Sequence, residues 1–210
     1  MKNRETRTYQ LEIRAEQNEE HGSFITGRPI VFNANTDLGY YTERIATGAL
    51  DKTDLRDVRF LVNHNTDMIP LARSRNNNAN STMQMSIDEN GMNIRVDLDT
   101  EGNPEAKSLY SAVKRGDVSG MSFMFTVDGD SWEGLESDHP IRTITSISKV
   151  FEVSAVTFPA YEQTSIEAAS IDEALERAKS TLESAKAEQR DAEVREEIKK
   201  LLKGDSINED

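Results

Sequence analysis

The sequence predicts an α+β fold, mainly β, followed by a helical tail. Three observations carry that prediction. In Gly120–Val127 the apolar Met121, Phe123, Phe125 and Val127 alternate with Gly120, Ser122, Met124 and Thr126, the period of a strand with one buried face. A hairpin follows the same rule: Met83, Met85 and Ile87 alternate, Asp88-Glu89-Asn90-Gly91 supplies the turn, and Met92, Ile94, Val96 and Leu98 alternate again. From Ser170 the period changes, with Ile171, Leu175, Ala178, Leu182 and Ala185 recurring at helical intervals.

Each element can be justified in turn. Residues 6–14 place Tyr9, Leu11 and Ile13 on one face of a first strand, and a polar turn over Glu16–Gly22 follows, holding His21 as a solvated residue. Phe24–Phe32 resumes β character, with Pro29 marking an edge or a bulge. Asn33–Gly48 is a loop whose Tyr40 and Tyr41 imply packing, and residues 49–55 form a short helix. Asp57–Asn65 is a buried strand ending at a polar turn with His64 at its mouth. Pro70–Ser74 returns to the sheet, and Asn76–Ser81 is a loop tip. The hairpin methionines read as core filling.

Asn103 caps a helix opened by Pro104 and closed by Gly116, with Ala106, Leu109, Tyr110 and Val113 as its apolar stripe. That helix leads straight into the strand bearing Ser122. Asp128–Pro140, with Trp132 and His139, is expected as a flexible polar loop, and Ile141–Phe158 as a long β segment. Residues 1–169 form a β domain and 170–210 a tail of mixed charge, helical over Ile171–Leu202 and frayed at its acidic end.

Composition narrows the chemistry. A chain of 210 residues has room for one sizeable core plus appendages. It has no cysteine, so disulfides, thiolate nucleophiles and cysteine-based zinc sites are excluded together. Imidazole chemistry falls to His21, His64 and His139. No stretch approaches the ~18 apolar residues of a membrane helix, no leader is expected, and no membrane partner is expected. A net charge of −13 argues against nucleic-acid binding and bears instead on solubility and self-association.

A serine held on a stiff strand becomes a nucleophile only if a base reaches it, because an unassisted hydroxyl is a weak attacking group. Ser122 and His64 are the pair on which such chemistry would rest. The same pattern also suits an inert domain, in which Ser122 is an ordinary strand residue.

Four motifs in order move the balance: Gly48-Ala49-Leu50, Val62-Asn63-His64-Asn65, Gly116 to Phe123, and Glu152 to Tyr161. Together, across about residues 8 to 166, they resemble the prohead, or capsid maturation, serine proteases of tailed bacteriophages. That resemblance implies a herpesvirus-protease-like β-barrel, closed or nearly closed and flanked by helices, as in assemblin. It implies Ser122 as nucleophile, His64 as general base and Glu152 as the third member, with neither metal nor cofactor. The implied partners are the major capsid protein with its scaffold segment, the portal, and a second copy of the chain. The implied setting is the immature capsid inside the host cell. Two positions depart from the family's usual pattern: Met124 where glycine is common, and Leu71-Ala72-Arg73 where Leu-Gly-Arg is common.

Two residues compete with Glu152. His139 would make a Ser–His–His set but lies in a turn beside Pro140, and Asp117 sits at the helix-to-strand junction. Glu152 lies between Phe151 and Val153 and turns off their face, where an unpaired acid is costly; a structural ion pair with Arg73 or Arg142 is the bland alternative. The oxyanion donors are expected from backbone N–H groups over Pro70–Ser74. The competing functions are an inactive, protease-like assembly protein and a general cellular hydrolase.

Overall fold

The computed structural model describes residues 4–9, 13–157 and 165–204. Eleven strands and two helices follow one another along these residues. They are β1 (Glu5–Tyr9), β2 (Ile13–Asn18), β3 (Gly22–Val31), β4 (Thr36–Asp37), β5 (Thr42–Ile45), β6 (Asp57–Val62), β7 (Ala72–Arg75), β8 (Met83–Asp88), β9 (Gly91–Leu98), α1 (Pro104–Arg115), β10 (Gly120–Glu133), β11 (Ile141–Val156) and α2 (Ser165–Gly204).

Among the described residues the ladders form two sheets and no closed barrel. One runs β1-β10-β11-β5-β4, with β6 also on β11 and β7 on β6; the other runs β2-β3-β9-β8. Of the herpesvirus-protease-like barrel, closed or nearly closed, that the resemblance implies, the closed form is corrected, and the mainly β character with two helices holds. The register of β3 slips between Gly27 and Ile30, around Pro29, a residue with no N–H to give to a ladder. On the other side, β11 uses one edge twice: Ile141–Ile144 pairs with β5, and Glu152–Ala155 with β6.

One core unites both sheets and α1. Ile25, Met92, Ile94 and Val96 of the smaller sheet join Phe60, Met121, Phe123, Phe125 and Val153 of the larger, with Ala106, Leu109 and Val113 from the helix. The cap signals of α1 act as read: the Asn103 side chain accepts from the Glu105 and Ala106 N–H groups, and Gly116 ends the helix at φ 81°. Met83 and Met92 are fully buried, in keeping with core filling.

Four local expectations fail. Asn33–Gly48 is not simply a loop, since it contains β4 and β5, and β5 is held in the larger sheet by its pairing with β11. Residues 6–14 are not one strand but parts of β1 and β2 in different sheets; Leu11 falls outside the described residues. Residues 49–55 make turns rather than a helix, because the Ala49 N–H and Asp51 N–H close back on Ala46 and Gly48 and Thr53 then bonds across to Ile147. Asp128–Glu133 is strand rather than loop: its residues pair with Ile141–Ser146, and Trp132 packs edge-on against the buried Tyr41. Charge alternation disguised that strand as a polar loop.

The same region holds a buried ionic network. Arg7 binds Glu43 through two nitrogens at 2.6 and 2.8 Å and Glu5 at 2.7 Å. Arg142 binds Glu5 at 2.6 Å, Glu43 at 2.9 Å and Asp130 at 2.7 Å. Burial pulls the Arg7 guanidinium down, but Glu43 and Glu5 outweigh it and hold the group charged. The network fixes β1 against β5, β10 and β11. The chain divides into two compact units, Met1–Ile171 and Asp172–Asp210. Described side chains of α2 from Glu176 to Glu196 are exposed or half-exposed.

Candidate active site

Three neighbouring strands set hydroxyls in one row. Thr8 on β1 stands opposite Ser122 on β10, and Ser122 stands opposite Ser154 on β11. Partners across a sheet share a face, so all three project away from the buried Met121 and Phe123. Glu152, two residues before Ser154, shares that face, with Met124 directly opposite it.

His64 arrives from the end of β6. That strand pairs with β11 in parallel, Leu61 opposite Ser154 and Val62 opposite Ala155. Asn63 and His64 then adopt φ of 50° and 57°, a left-handed conformation that costs about 1–2 kcal/mol per residue outside glycine. The turn is closed by the Asn65 N–H donating to the Val62 carbonyl at 3.1 Å, and further hydrogen bonds tie it to β11 and to Thr157. The Asn63 N–H donates to the Ala155 carbonyl at 3.0 Å, the His64 N–H to Ser154 Oγ at 3.1 Å, and the Thr157 N–H to Asn63 Oδ1 at 3.0 Å. The imidazole is thereby aimed across the row of hydroxyls.

The contacts made there are short. His64 Nε2 lies 2.6 Å from Ser122 Oγ, and His64 Nδ1 lies 2.6 Å from Glu152 Oε1. A carboxylate only accepts, so the neutral ring carries its proton on Nδ1 and presents the Nε2 lone pair to the serine. Glu152 Oε2 accepts in turn from Ser154 Oγ at 2.6 Å. Arg73 and Arg142 take other partners, Asp57 for the first and Glu5, Glu43 and Asp130 for the second.

Ser122 is crowded as well as aimed. The residue has no exposed surface, while the His64 side chain keeps 19% of its own. Thr8 Oγ1 donates to Ser122 Oγ at 2.9 Å, and the Arg7 carbonyl accepts from it at 2.8 Å. The serine has one proton and two acceptors, His64 Nε2 and the Arg7 carbonyl. Donation to the first prepares a nucleophile, and donation to the second withholds it.

The remaining candidates lie elsewhere. His139 Nε2 faces Thr42 Oγ1 at 3.1 Å and Asp37 at 3.6 Å, and Asp117 pairs with Arg115. His21 sits at the β2–β3 turn with its ring edge toward Phe24. The expected oxyanion donors are partly committed, since the Leu71 N–H donates to the Phe60 carbonyl and the Arg73 N–H to Thr82 Oγ1. Among the described residues no group of His, Asp and Glu is arranged to hold a metal ion.

Sequence reasoning missed Ser154, Thr8 and the Arg7 carbonyl. For Ser154 a signal existed: it lies two residues after Glu152 in one strand, hence on the same face. For Thr8 and Arg7 there was none, because nothing local says which strand will lie beside β10.

A sequence model of the caudovirus prohead serine proteases matches residues 9–178. The chain belongs to the caudovirus prohead serine protease family. The family match takes in His64, Ser122, Glu152 and Ser154, whereas Arg7 and Thr8 precede it. The prohead protease of Enterobacteria phage HK97 is 32% identical over 113 residues, which are 54% of this chain and 45% of that protein. The match thus spans less than half the length of that relative. Among solved structures, the bacteriophage T4 capsid assembly protease superposes with a TM-score of 0.39 at 14% identity, covering 72% of this chain and 98% of that one.

Proposed function

We propose that the chain is a serine endopeptidase of capsid maturation, cleaving the scaffold segment of capsid subunits inside the immature particle by acyl transfer. The observation that carries this reading is the continuous line from Ser122 Oγ through both nitrogens of His64 to Glu152. Membership of the prohead serine protease family supports the setting in the immature particle. His64 Nε2 takes the Ser122 proton as Oγ bonds to the peptide carbonyl carbon, while Nδ1–H stays on Glu152 and the carboxylate steadies the imidazolium. The same proton then goes to the leaving amine, and water repeats the sequence on the acyl-enzyme.

Activation requires the serine proton to turn from the Arg7 carbonyl to His64 Nε2. Cleavage of the chain's own tail in a second copy, and contact with the portal, belong to the same reading as partners within the particle. Co-expression with the major capsid protein of the same phage, followed by mass analysis of both products, tests it. Shortened capsid subunits with the parent chain and full-length subunits with Ser122→Ala are expected.

The full burial of Ser122 favours a second reading, an assembly protein with a closed site. Uncut subunits beside the parent chain are its expected outcome.

A further inference from the structure

We propose that Ser154 is a positioning residue that sets His64 and Glu152 together, a role that rests on the triad reading above. Its hydroxyl has two jobs in one place. The oxygen accepts the His64 backbone N–H at 3.1 Å, and the proton goes to Glu152 Oε2 at 2.6 Å. One side chain therefore holds the backbone that aims the base and the carboxylate that fixes its ring.

Two features make the contact more than ordinary strand hydrogen bonding. The held backbone is strained, because Asn63 and His64 lie consecutively in the left-handed region, and such strain persists only where the surroundings impose it. The held carboxylate is buried, at 2% exposure, so its second oxygen has no water to replace a lost donor. Ser154 is itself fully buried and directly opposite Ser122, so its hydroxyl cannot turn elsewhere without leaving the row.

Without that hydroxyl, Glu152 Oε2 loses its donor and the His64 N–H loses its acceptor, so the carboxylate can rotate and the turn, still tied at Asn63 and Asn65, can shift at His64. Both movements lengthen the Nδ1–Oε1 contact, and Nε2 then drifts from Ser122. The nucleophile survives but its base is misplaced. This separates Ser154 from the triad members: it touches no reacting atom.

The test uses the full chain and a small phosphonylating reagent, diisopropyl fluorophosphate, with two readouts. One is the rate at which the reagent labels Ser122, and the other is the downfield proton resonance of the His64 Nδ1–H, which reports the short bond to Glu152. Ser154→Ala is expected to label about ten- to a hundredfold more slowly, as for a lost hydrogen bond to a charged group, and to move the resonance upfield. Ser154→Thr and Ser154→Val form a near-isosteric pair differing in the hydroxyl. The threonine variant is expected to restore both readouts and the valine variant neither, which also decides the matter if the alanine variant does not fold. Equal labelling rates and an unmoved resonance in the hydroxyl-free variants overturn the proposal while leaving the triad standing. Failure of the parent chain to label at Ser122 overturns the triad reading instead, and the resonance alone then decides whether Ser154 sets the His64–Glu152 contact.

Discussion

Glu152 Oε1 lies 2.6 Å from His64 Nδ1, on the opposite side of the ring from Ser122. His139, the rival third member, instead faces Thr42 and Asp37. Glu152→Gln keeps the size of the side chain but can present its N–H₂ group to the ring, which favours the wrong tautomer. Processing is expected to fall about 10²–10⁴-fold, the upper end being the loss when a triad aspartate is neutralised, with His139→Ala near the parental rate. The reverse ranking, read by cleavage of co-expressed capsid subunits, would return the role to His139.

Arg7 is the hub of the buried network, and removing it leaves the buried Glu43 paired with Arg142 and with the carboxylate of Glu5 nearby. Breaking such a pair by removing one partner costs about 3–5 kcal/mol. Arg7→Met is expected to lower stability by that amount in urea unfolding followed by circular dichroism. A loss below about 1 kcal/mol, the range of exposed ion pairs, contradicts the buried network.

Tyr41 gives the alkaline behaviour. Burial, chiefly, pushes its phenol up to about 12, with Arg7 opposing and Glu43 adding to the rise. The fold holds the protonated form, so this contribution is fully present below pH about 10, the free phenol's value, and is lost as pH rises through about 12. The parent is expected to lose about 2–3 kcal/mol more than Tyr41→Phe across that window. Parallel stability curves for the two proteins, from urea midpoints at each pH, would show the phenol to be solvated.

A chain ending at Ile171 is expected to fold by itself. Unit Met1–Ile171 contains the core, the network and the site, while the described side chains of α2 beyond Leu175 are mostly solvated. A helix of that kind gains little stability alone. Cooperative thermal unfolding of the shortened chain, with retained Ser122 labelling, is the expected result; an insoluble or molten product places part of the core in the tail.

What was legible in the sequence was local. The strand of Ser122, the methionine hairpin and the caps of α1 follow from alternation and from Asn103, Pro104 and Gly116, all decided within a few residues. His64 and Glu152 could be named through the family resemblance, and their meeting depends on β6 lying parallel to β11, a pairing across about ninety residues that no local pattern announces. Nothing local marks Glu5, Arg7, Glu43 and Arg142 as buried, because charged strand residues usually face water. They are buried because they meet one another, which only the assembled sheet reveals.

The central claim is that Ser122 is a nucleophile activated by His64, and its most direct measurement is the mass of the intact chain after exposure to a fluorophosphonate. The account predicts one adduct, mapped by peptide sequencing to Ser122, absent in Ser122→Ala and greatly slowed in His64→Ala. An unlabelled parent chain, or an adduct that persists in Ser122→Ala, contradicts it.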